Sequence, residues 1–405
     1  MRRLANFTVG PYRRYLGALL CAQLGVQIQT VAVGWQVYSS SGNAFHLALI
    51  GLTQFLPALV LVIGQIVDRC DRRNVLTASI LGMAAMALVL SWTTSRQTLM
   101  ILPILILFFG AGIGRAFYNA SRQAILARIV PEEALPQAVS MNSMANQMAI
   151  IIGPILGGVL SAHANALPHL VAFGLHALAL ICVAGIPSTP PDPFAAKEDG
   201  SRTEMLLGGF NYLRGQPILL GSMLLDMLVV LFGSVVGLLP VYANDILKVG
   251  PEGLGVLRAS LAAGSIIAAF WIVRRPLDGA IGQKLFLFVM LFGASSIVFS
   301  VSTSMILSML CLFLAGMFDM VGLSIRQSLL QLNTDDHMRG RVQAINLVFV
   351  GASNEIGAFR AGSAAVLLGP VAALVTGGLM SIGVAGVMMR AFPSLFRINN
   401  LKYRI

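Results

Sequence analysis

About twelve apolar segments, each close to twenty residues long, follow one another along this chain of 405 residues. A helix of that length crosses a hydrocarbon layer about 30 Å thick, and it satisfies its own backbone polar groups there. Charged residues make up only 11% of the chain, against about 25% in soluble domains. We therefore predict an all-α membrane protein with about twelve transmembrane helices, at about 15–38, 46–66, 75–93, 98–120, 138–161, 168–186, 217–242, 252–273, 283–302, 305–327, 342–367 and 370–391.

The chain carries a formal net charge of +11, which by itself is also typical of proteins that bind nucleic acid. The distribution of lysine and arginine points elsewhere, because nearly all of them fall on one side of the predicted spans. With a cytoplasmic N-terminus, the opposite loops hold only Arg96 and Lys248. This bias is the positive-inside pattern. It predicts a multi-pass protein of the bacterial inner membrane with both termini in the cytoplasm, and no nucleic-acid partner.

The second half of the chain repeats residues of the first half at a constant shift of 204 positions. The matching pairs are Arg122 with Arg326, Gln123 with Gln327, Asn142 with Asn346, Ile152 with Ile356, Gly153 with Gly357, and Gly158 with Gly362. The shift predicts two pseudo-symmetric six-helix bundles, 1–186 and 217–405, joined by a cytoplasmic linker at 187–216. Parallel repeats of this kind hold the substrate site between the halves in known transporters. Within the linker, the segment Thr203–Arg214 is predicted to be an amphipathic surface helix.

A charged loop follows the second predicted span. Its key residues are Gly64, Asp68, Arg69, Asp71, Arg72 and Arg73. A carboxylate beside several guanidinium groups can hold one conformation by charge-assisted hydrogen bonds and release it in another. The loop resembles the signature of the major facilitator family, and the resemblance implies a conformational gate. The alternative is that these charges only mark the edge of the membrane.

Predicted span 5 carries Gly153-Pro154-Ile-Leu-Gly157-Gly158. It is similar to the core of the antiporter motif of proton-driven drug exporters, although Ala149 stands where the fuller motif has glycine. Glycines permit close helix contact, and proline bends a helix. The same residues are therefore also explained by packing alone.

Longer stretches extend the resemblance over nearly the whole chain. They are Val31–Tyr38, Gln54–Ala58, Ser121–Pro131, Leu239–Leu247, Gly255–Ala259 and Arg339–Val342. They look like the enterobactin-exporter branch of the major facilitator family, which also contains macrolide-type drug exporters. The resemblance implies export of a small molecule by alternating access, with the proton gradient as the energy source.

Five ionisable residues fall deep within predicted spans: Asp226, Asp319, Glu355, Arg115 and Arg360. Such groups cost at least ~2.5–3.5 kcal/mol each on insertion scales and normally face a partner or a wet cavity. We predict Asp226 as the proton carrier, because a lone carboxyl in apolar surroundings binds a proton near neutral pH. The alternative is a tie between Asp226 and a neighbouring backbone group.

Arg115 and Asp319 are related by the shift of 204. In the family that the chain resembles, the helices that carry them line the central cavity. We therefore predict that the two side chains pair in one of the two access states. Glu355 and Arg360 lie about 140° apart around a helix, so each needs its own partner. For Glu355, a structural tie to a neighbouring helix and a proton-carrying role remain equally open.

Uncharged polar residues suggest where a substrate binds. They are Gln23, Gln27 and Trp35 in span 1 and Asn142 and Asn146 in span 5, with methionines nearby. Amides among soft thioethers suit an adaptable pocket for amphipathic compounds. Hydrogen bonding between helices is the alternative for most of these amides.

The sequence contains no phosphate-binding loop for ATP, no cysteine or histidine spacing typical of a metal site, and no catalytic constellation. We therefore predict a monomeric transporter without cofactor or metal, not an enzyme, whose partners are the bilayer and a small molecule. A siderophore or an amphipathic drug is the favoured substrate. A lysophospholipid or similar lipid, and a non-transporting membrane sensor on the same fold, are the alternatives.

Overall fold

The computed structural model describes residues 10–59, 70–96, 101–190, 202–275, 277–335 and 338–402. Most of these residues are helical, and short helical turns connect several of the long helices. The long helices are α1 Pro11–Ser41, α2 Ala44–Phe55, α3 Arg72–Ser95, α4 Ile101–Ile129, α5 Leu135–His163, α6 Leu167–Ala184, α7 Arg202–Arg214, α8 Pro217–Gly233, α9 Gly250–Arg274, α10 Ile281–Val301, α11 Met305–Asn333, α12 Arg339–Leu368 and α13 Pro370–Ala391.

The helix boundaries reproduce the internal repeat. Helices α4 and α11 begin 204 residues apart and also end 204 residues apart, and α5 and α12 begin 204 residues apart. The equivalence found in scattered residue pairs therefore extends to whole helices. The predicted fold class, an all-α membrane protein built from two related bundles, is confirmed.

Within the described residues, ten helices are long and apolar enough to cross a membrane. Two predicted spans fall outside this set for different reasons. The second span runs into 60–69, outside the described residues, so only α2 and the short turn Leu56–Leu59 represent it. Helix α12 is 30 residues long, but polar residues such as Asn346, Asn354 and Glu355 reduce its hydropathy.

The first compact unit comprises Met1–Gly42, Thr53–Asp199 and Val249–Ala259. In it, α1 packs against α5 and α6, and α3 packs against α4 and α6. Its core consists of buried apolar and tyrosine side chains, among them Tyr12, Tyr15 and Tyr118. Burial of such side chains is the main restraint on the angle and rotation of each helix.

The second compact unit comprises Asn43–Leu52, Gly200–Lys248 and Ser260–Ile405. In it, α10 packs against α11 and α13, and α8 packs against α12 and α13. The segment expected as an amphipathic helix is α7, which packs against α12. Each unit thus takes in one short segment from the other half of the chain. The bundle boundaries at 186 and 217 stay a prediction.

Two repeat-equivalent glycines support the contacts of these exchanged segments. In the first unit, a methyl group added at Gly158 of α5 would overlap the carbonyl group of Pro251 in α9. In the second unit, a methyl group added at Gly362 of α12 would lie 2.8 Å from the carbonyl oxygen of Ala44 in α2. Helices can approach this closely only where the side chain is a hydrogen atom.

Candidate functional site

An ion pair inside the second unit joins α8 to α11. The carboxylate of Asp226 accepts from the guanidinium of Arg326, whose side chain is 2% exposed, while that of Asp226 is 20% exposed. The prediction that Asp226 is a lone carboxyl is therefore wrong. An arginine on the neighbouring helix holds it, and a carboxylate held by a cation gives up its negative charge less readily.

Asp319 lies on the same face of α11 as Arg326, because seven residues make almost two full helical turns, about 10 Å along the axis. Although it lies in the middle of a membrane-spanning helix, its side chain is exposed. Within the part of the chain that the structure describes, Asp319 has no hydrogen bond and no ion pair. Asp319, rather than Asp226, is thus the carboxyl that lacks a cation.

Both acids and Arg326 line one pocket. Its other lining residues are mostly apolar and come from α8, α10 and α11: Ser222, Leu225, Val229, Leu285, Phe288, Val289, Phe292, Phe318, Gly322 and Leu323. One arginine therefore serves two carboxyl groups among phenylalanine and leucine side chains. Such a site can hold one negative charge at low cost, and the second charge is favoured only when a proton or another cation is present.

Glu355 and Arg360 have different partners, as expected from their angular separation on α12. Arg360 donates from Nε to the carbonyl oxygen of Leu231 at 2.9 Å, and from Nη2 to that of Phe232. A cation at the last turn of a helix satisfies carbonyl groups that have no partner within the helix. The carboxylate of Glu355 lies against α2, 3.0 Å from where a methyl group at Gly51 would be.

A second pocket lies inside the first unit, around Arg115 of α4. Arg115 donates from Nη1 to Oε1 of Gln54 at 3.4 Å. One helical turn earlier, Gly112 allows the backbone of Gln54 to come close, since a methyl group there would lie 2.9 Å from the carbonyl carbon of Gln54. The glycine therefore positions the amide that Arg115 contacts.

Gln29 of α1 completes the polar part of this pocket. It is only 4% exposed, and its Nε2 has no hydrogen-bond partner among the described residues. A buried amide donor without a partner is costly, by about 1–3 kcal/mol. The remaining lining residues are Val26, Thr30, Met83, Met86, Phe108 and Ala111.

The amides expected to line the substrate cavity form contacts between α1 and α5. Gln23 donates from Nε2 to Oδ1 of Asn146 at 2.8 Å. Asn142 accepts from the hydroxyl of Tyr12 at 3.2 Å and donates to that of Tyr15 at 3.4 Å. These bonds match the interhelical alternative for Gln23, Asn142 and Asn146. Gln27 and Trp35 are half-buried in α1, and the cavity role of all five residues stays a prediction.

Only the second half of the predicted gate loop lies in the described residues, since Gly64, Asp68 and Arg69 fall outside them. Asp71 caps α3 by accepting from the backbone N–H of Arg73 at 2.9 Å. Arg73 also donates from Nη2 to the carbonyl oxygen of Ala184 at the end of α6, 2.9 Å away. Arg72 is buried, and its backbone N–H donates to the carbonyl oxygen of Thr189 at 3.2 Å. These bonds connect the start of α3 to the segment after α6.

The hydrogen bonds around Asp71 affect its protonation. Burial alone would raise the pKa of this carboxyl. Hydrogen bonds from the Ser188 hydroxyl and from three backbone N–H groups outweigh burial and hold the pKa below its ordinary value. Asp71 is therefore ionised at neutral pH and remains able to cap the helix.

The antiporter-like residues of α5 lie between α1 and α9. A methyl group at Gly157 would lie 2.8 Å from the carbonyl oxygen of Ile28, and one at Gly153 would overlap Gln27. Pro154 is inside the helix, and its carbonyl lies against Gly255 of α9. The packing interpretation accounts for these contacts without a further role.

Sequence analysis missed Arg326 as the partner of Asp226, and Gln29 and Gln54 as neighbours of Arg115. For Arg326 a signal was present, because it stands seven residues after Asp319 and is the repeat equivalent of Arg122. For Gln54 no local pattern in the sequence indicates the contact, which depends on a glycine 58 residues further along the chain.

Solved structures of transporters share this fold. A nucleoside transporter NupG mutant gives a TM-score of 0.72 at 12% identity, covering 96% of this chain and 100% of the other. A bacterial homolog of the human lysosomal transporter Spinster, inward-facing and unoccupied, gives 0.68 at 15% identity, covering 95% and 96%. The peptide transporter POT in complex with sulfate gives 0.73 at 13% identity, covering 96% of each chain. At these identities the similarity concerns the fold.

Curated relatives are similar over almost their whole length. The Enterobactin exporter EntS of Escherichia coli O1:K1 / APEC is 25% identical over 383 residues, covering 92% of this chain and 88% of that protein. The protein of the same name from Citrobacter koseri is 25% identical over 396 residues, covering 95% and 91%. The family model of the Major Facilitator Superfamily matches residues 15–358. The chain is therefore a multi-pass membrane protein that belongs to the Major Facilitator Superfamily, a family of transporters and not of enzymes.

Proposed function

We propose that the protein exports a small molecule, a siderophore or an amphipathic drug, from the bacterial cytoplasm by proton antiport and alternating access. It acts in the inner membrane with both termini in the cytoplasm. The enterobactin-exporter names of its relatives support the direction and the substrate class. The loop bias of lysine and arginine supports the orientation.

The observation that carries the proposal is the ratio of acids to arginine in the pocket of the second unit. Arg326 holds Asp226, and Asp319 lines the same pocket without a cation from the described residues. A carboxyl with these neighbours favours its protonated form more than an exposed one does. We assign Asp319 as the proton carrier and Asp226 as the residue that keeps Arg326 in place.

Proton movement through Asp319 gives transport a simple dependence on this residue. When Asp319 is protonated, the pocket holds the balanced pair of Asp226 and Arg326. When the proton leaves, the pocket gains one net negative charge, which is unfavourable in a closed apolar space. The conformation that exposes Asp319 to water is then the favoured one, so proton release and conformational change are coupled.

Inverted membrane vesicles with a proton gradient, acidic inside, test the proposal. The wild type, Asp319→Asn and Asp278→Asn would be offered labelled catecholate siderophore and a cationic dye. Asp278 is an exposed acid in a loop, so its variant is the matched control. We expect uptake by the wild type and Asp278→Asn, loss of uptake with a protonophore, and a loss of at least about 10-fold in Asp319→Asn.

The substrate arms separate the outcomes. Siderophore uptake identifies a siderophore exporter, and dye uptake alone identifies a drug exporter. Full proton-driven uptake by Asp319→Asn would refute the assignment of the carrier. Uptake of neither compound would refute both favoured substrates, and labelled lysophospholipid would then be the next compound to offer.

A further inference from the structure

We propose that the pocket around Arg115 binds the anionic group of an aromatic substrate, a carboxylate or a phenolate attached to an apolar ring. The proposal rests on the proposed export function and specifies its substrate class. It assigns recognition to α1, α3 and α4 and to Gln54, all within the first unit. The acids of the second unit have no part in it.

The polar groups of the pocket point to an anion. The lining includes one guanidinium, from Arg115, and two amides, from Gln29 and Gln54, whereas none of the lining residues that the structure describes is Asp or Glu. Guanidinium and amide N–H groups donate hydrogen bonds, and guanidinium matches the geometry of a carboxylate. A negatively charged oxygen is the group that these donors bind best.

Gln29 supplies an independent observation. Its Nε2 is a buried donor without an acceptor among the described residues, at a position that lines the pocket. A protein normally provides a partner for such a group. An acceptor atom on a bound ligand would satisfy the donor, which explains why an amide is kept at a site that would otherwise be apolar.

The walls of the pocket determine the rest of the ligand. Met83, Met86, Phe108, Val26 and Ala111 surround the donors. Methionine sulfur and aromatic edges pack favourably against aromatic rings, and methionine adapts to different ring shapes. A small inorganic anion would leave these walls in contact with water. An aromatic anion covers them and meets the donors at the same time.

A charge series on one ring system tests the proposal. Purified wild type in lipid nanodiscs would be titrated with tritiated 1-naphthoate, 1-naphthamide and 1-naphthylmethylammonium, in a scintillation proximity assay. The variants are Arg115→Gln, Arg115→Lys and Gln29→Leu. The matched control is Arg96→Gln, which removes the same charge from an exposed arginine beyond α3. Elution volume in gel filtration reports whether each variant is folded.

We expect the wild type to bind naphthoate at least about 10-fold more tightly than naphthamide, and the ammonium compound not at all. Arg115→Gln should remove the preference for naphthoate, Arg115→Lys should keep part of it, and Gln29→Leu should weaken naphthoate binding about 3-fold or more. Arg96→Gln should bind as the wild type does.

Equal affinity of the wild type for naphthoate and naphthamide, or no binding of naphthoate, would overturn the proposal. So would an Arg115→Gln variant that is folded and keeps the preference. These results do not depend on transport. Naphthoate binding without proton-driven uptake in vesicles would refute export and leave the pocket, whereas proton-driven dye uptake without naphthoate binding would refute the pocket and leave export.

Discussion

Helix α4 of the first unit and helix α11 of the second unit have the same length and register, yet their polar positions carry different charges. At the position shared by residues 115 and 319, the first unit has arginine and the second has aspartate. Two turns later both have arginine, Arg122 and Arg326. Arg326 pairs with Asp226, whereas Arg122 stacks over the ring of Tyr118, 5.7 Å from its centre.

This difference separates two tasks that a coupled transporter must perform. The first unit offers hydrogen-bond donors in a pocket lined by methionine and phenylalanine. The second offers two carboxyl groups and one arginine. Substrate and proton therefore do not need to compete for one residue. The same helix framework serves both tasks because function depends on the side chains at a few positions, not on the fold.

Removal of Arg326 should have the largest effect on stability. Arg326→Gln leaves the carboxylate of Asp226 without its cation in a mostly buried site. We expect a loss of about 3–5 kcal/mol, seen as a lower apparent melting temperature in detergent. The double variant Asp226→Asn/Arg326→Gln should recover most of it. The counterpart Arg122→Gln should lose no more than about 1 kcal/mol, the value of a cation–π contact. Equal losses at 122 and 326 would end the contrast between the two helices.

Charge reversal at the equivalent positions tests whether the two pockets also act as a pair. Arg115→Asp and Asp319→Arg should each reduce transport at least about 10-fold, because each places a wrong charge in its pocket. If the two side chains pair in one access state, the double reversal restores part of the uptake in vesicles, and this is the result that we expect. A double variant as inactive as the singles would mean that the residues act separately.

The two glycine contacts should respond alike. Gly158→Ala and Gly362→Ala each force a methyl group against a neighbouring helix backbone, and we expect each to cost about 1–3 kcal/mol. Gly174 in α6 and Gly383 in α13 face open space, so alanine at these controls should cost nothing. Melting temperatures in detergent measure all four variants. A large cost at one contact and none at the other would show that the repeat is unequal at this point.

The smallest effect concerns the caps. Asp71→Ala should cost about 1 kcal/mol, while Asp278→Ala should cost almost nothing, because Asp278 is exposed and accepts only from the adjacent N–H of Gly279. The lowered pKa of Asp71 sets the pH dependence. Its stabilisation is complete well above about pH 4, the unfolded value, and is lost as the pH falls through the lower folded pKa. Melting curves from pH 7 to pH 3 should converge for wild type and Asp71→Ala.

The sequence allowed the spans, the repeat and the family to be predicted because these depend on local hydropathy and on residues at fixed spacing. It also indicated that Glu355 and Arg360 have separate partners. The ion pair of Asp226 with Arg326 depends on contact between helices 100 residues apart, which no local pattern determines. The partner of Gln23 is likewise 123 residues away. The choice between cavity and interhelical roles for these amides therefore needed the structure.

The contacts at Gly158 and Gly362 have a mechanical consequence. Where helices meet through side chains, the ridges of one lie in the grooves of the other, and sliding requires each side chain to leave its groove. At these two glycines the contact is backbone against backbone or against an alanine methyl, so little interlocks. The helices can therefore shift along one another at low cost, as in shear motions. We expect the rate of this sliding to depend on the absence of two side chains as much as on any charge.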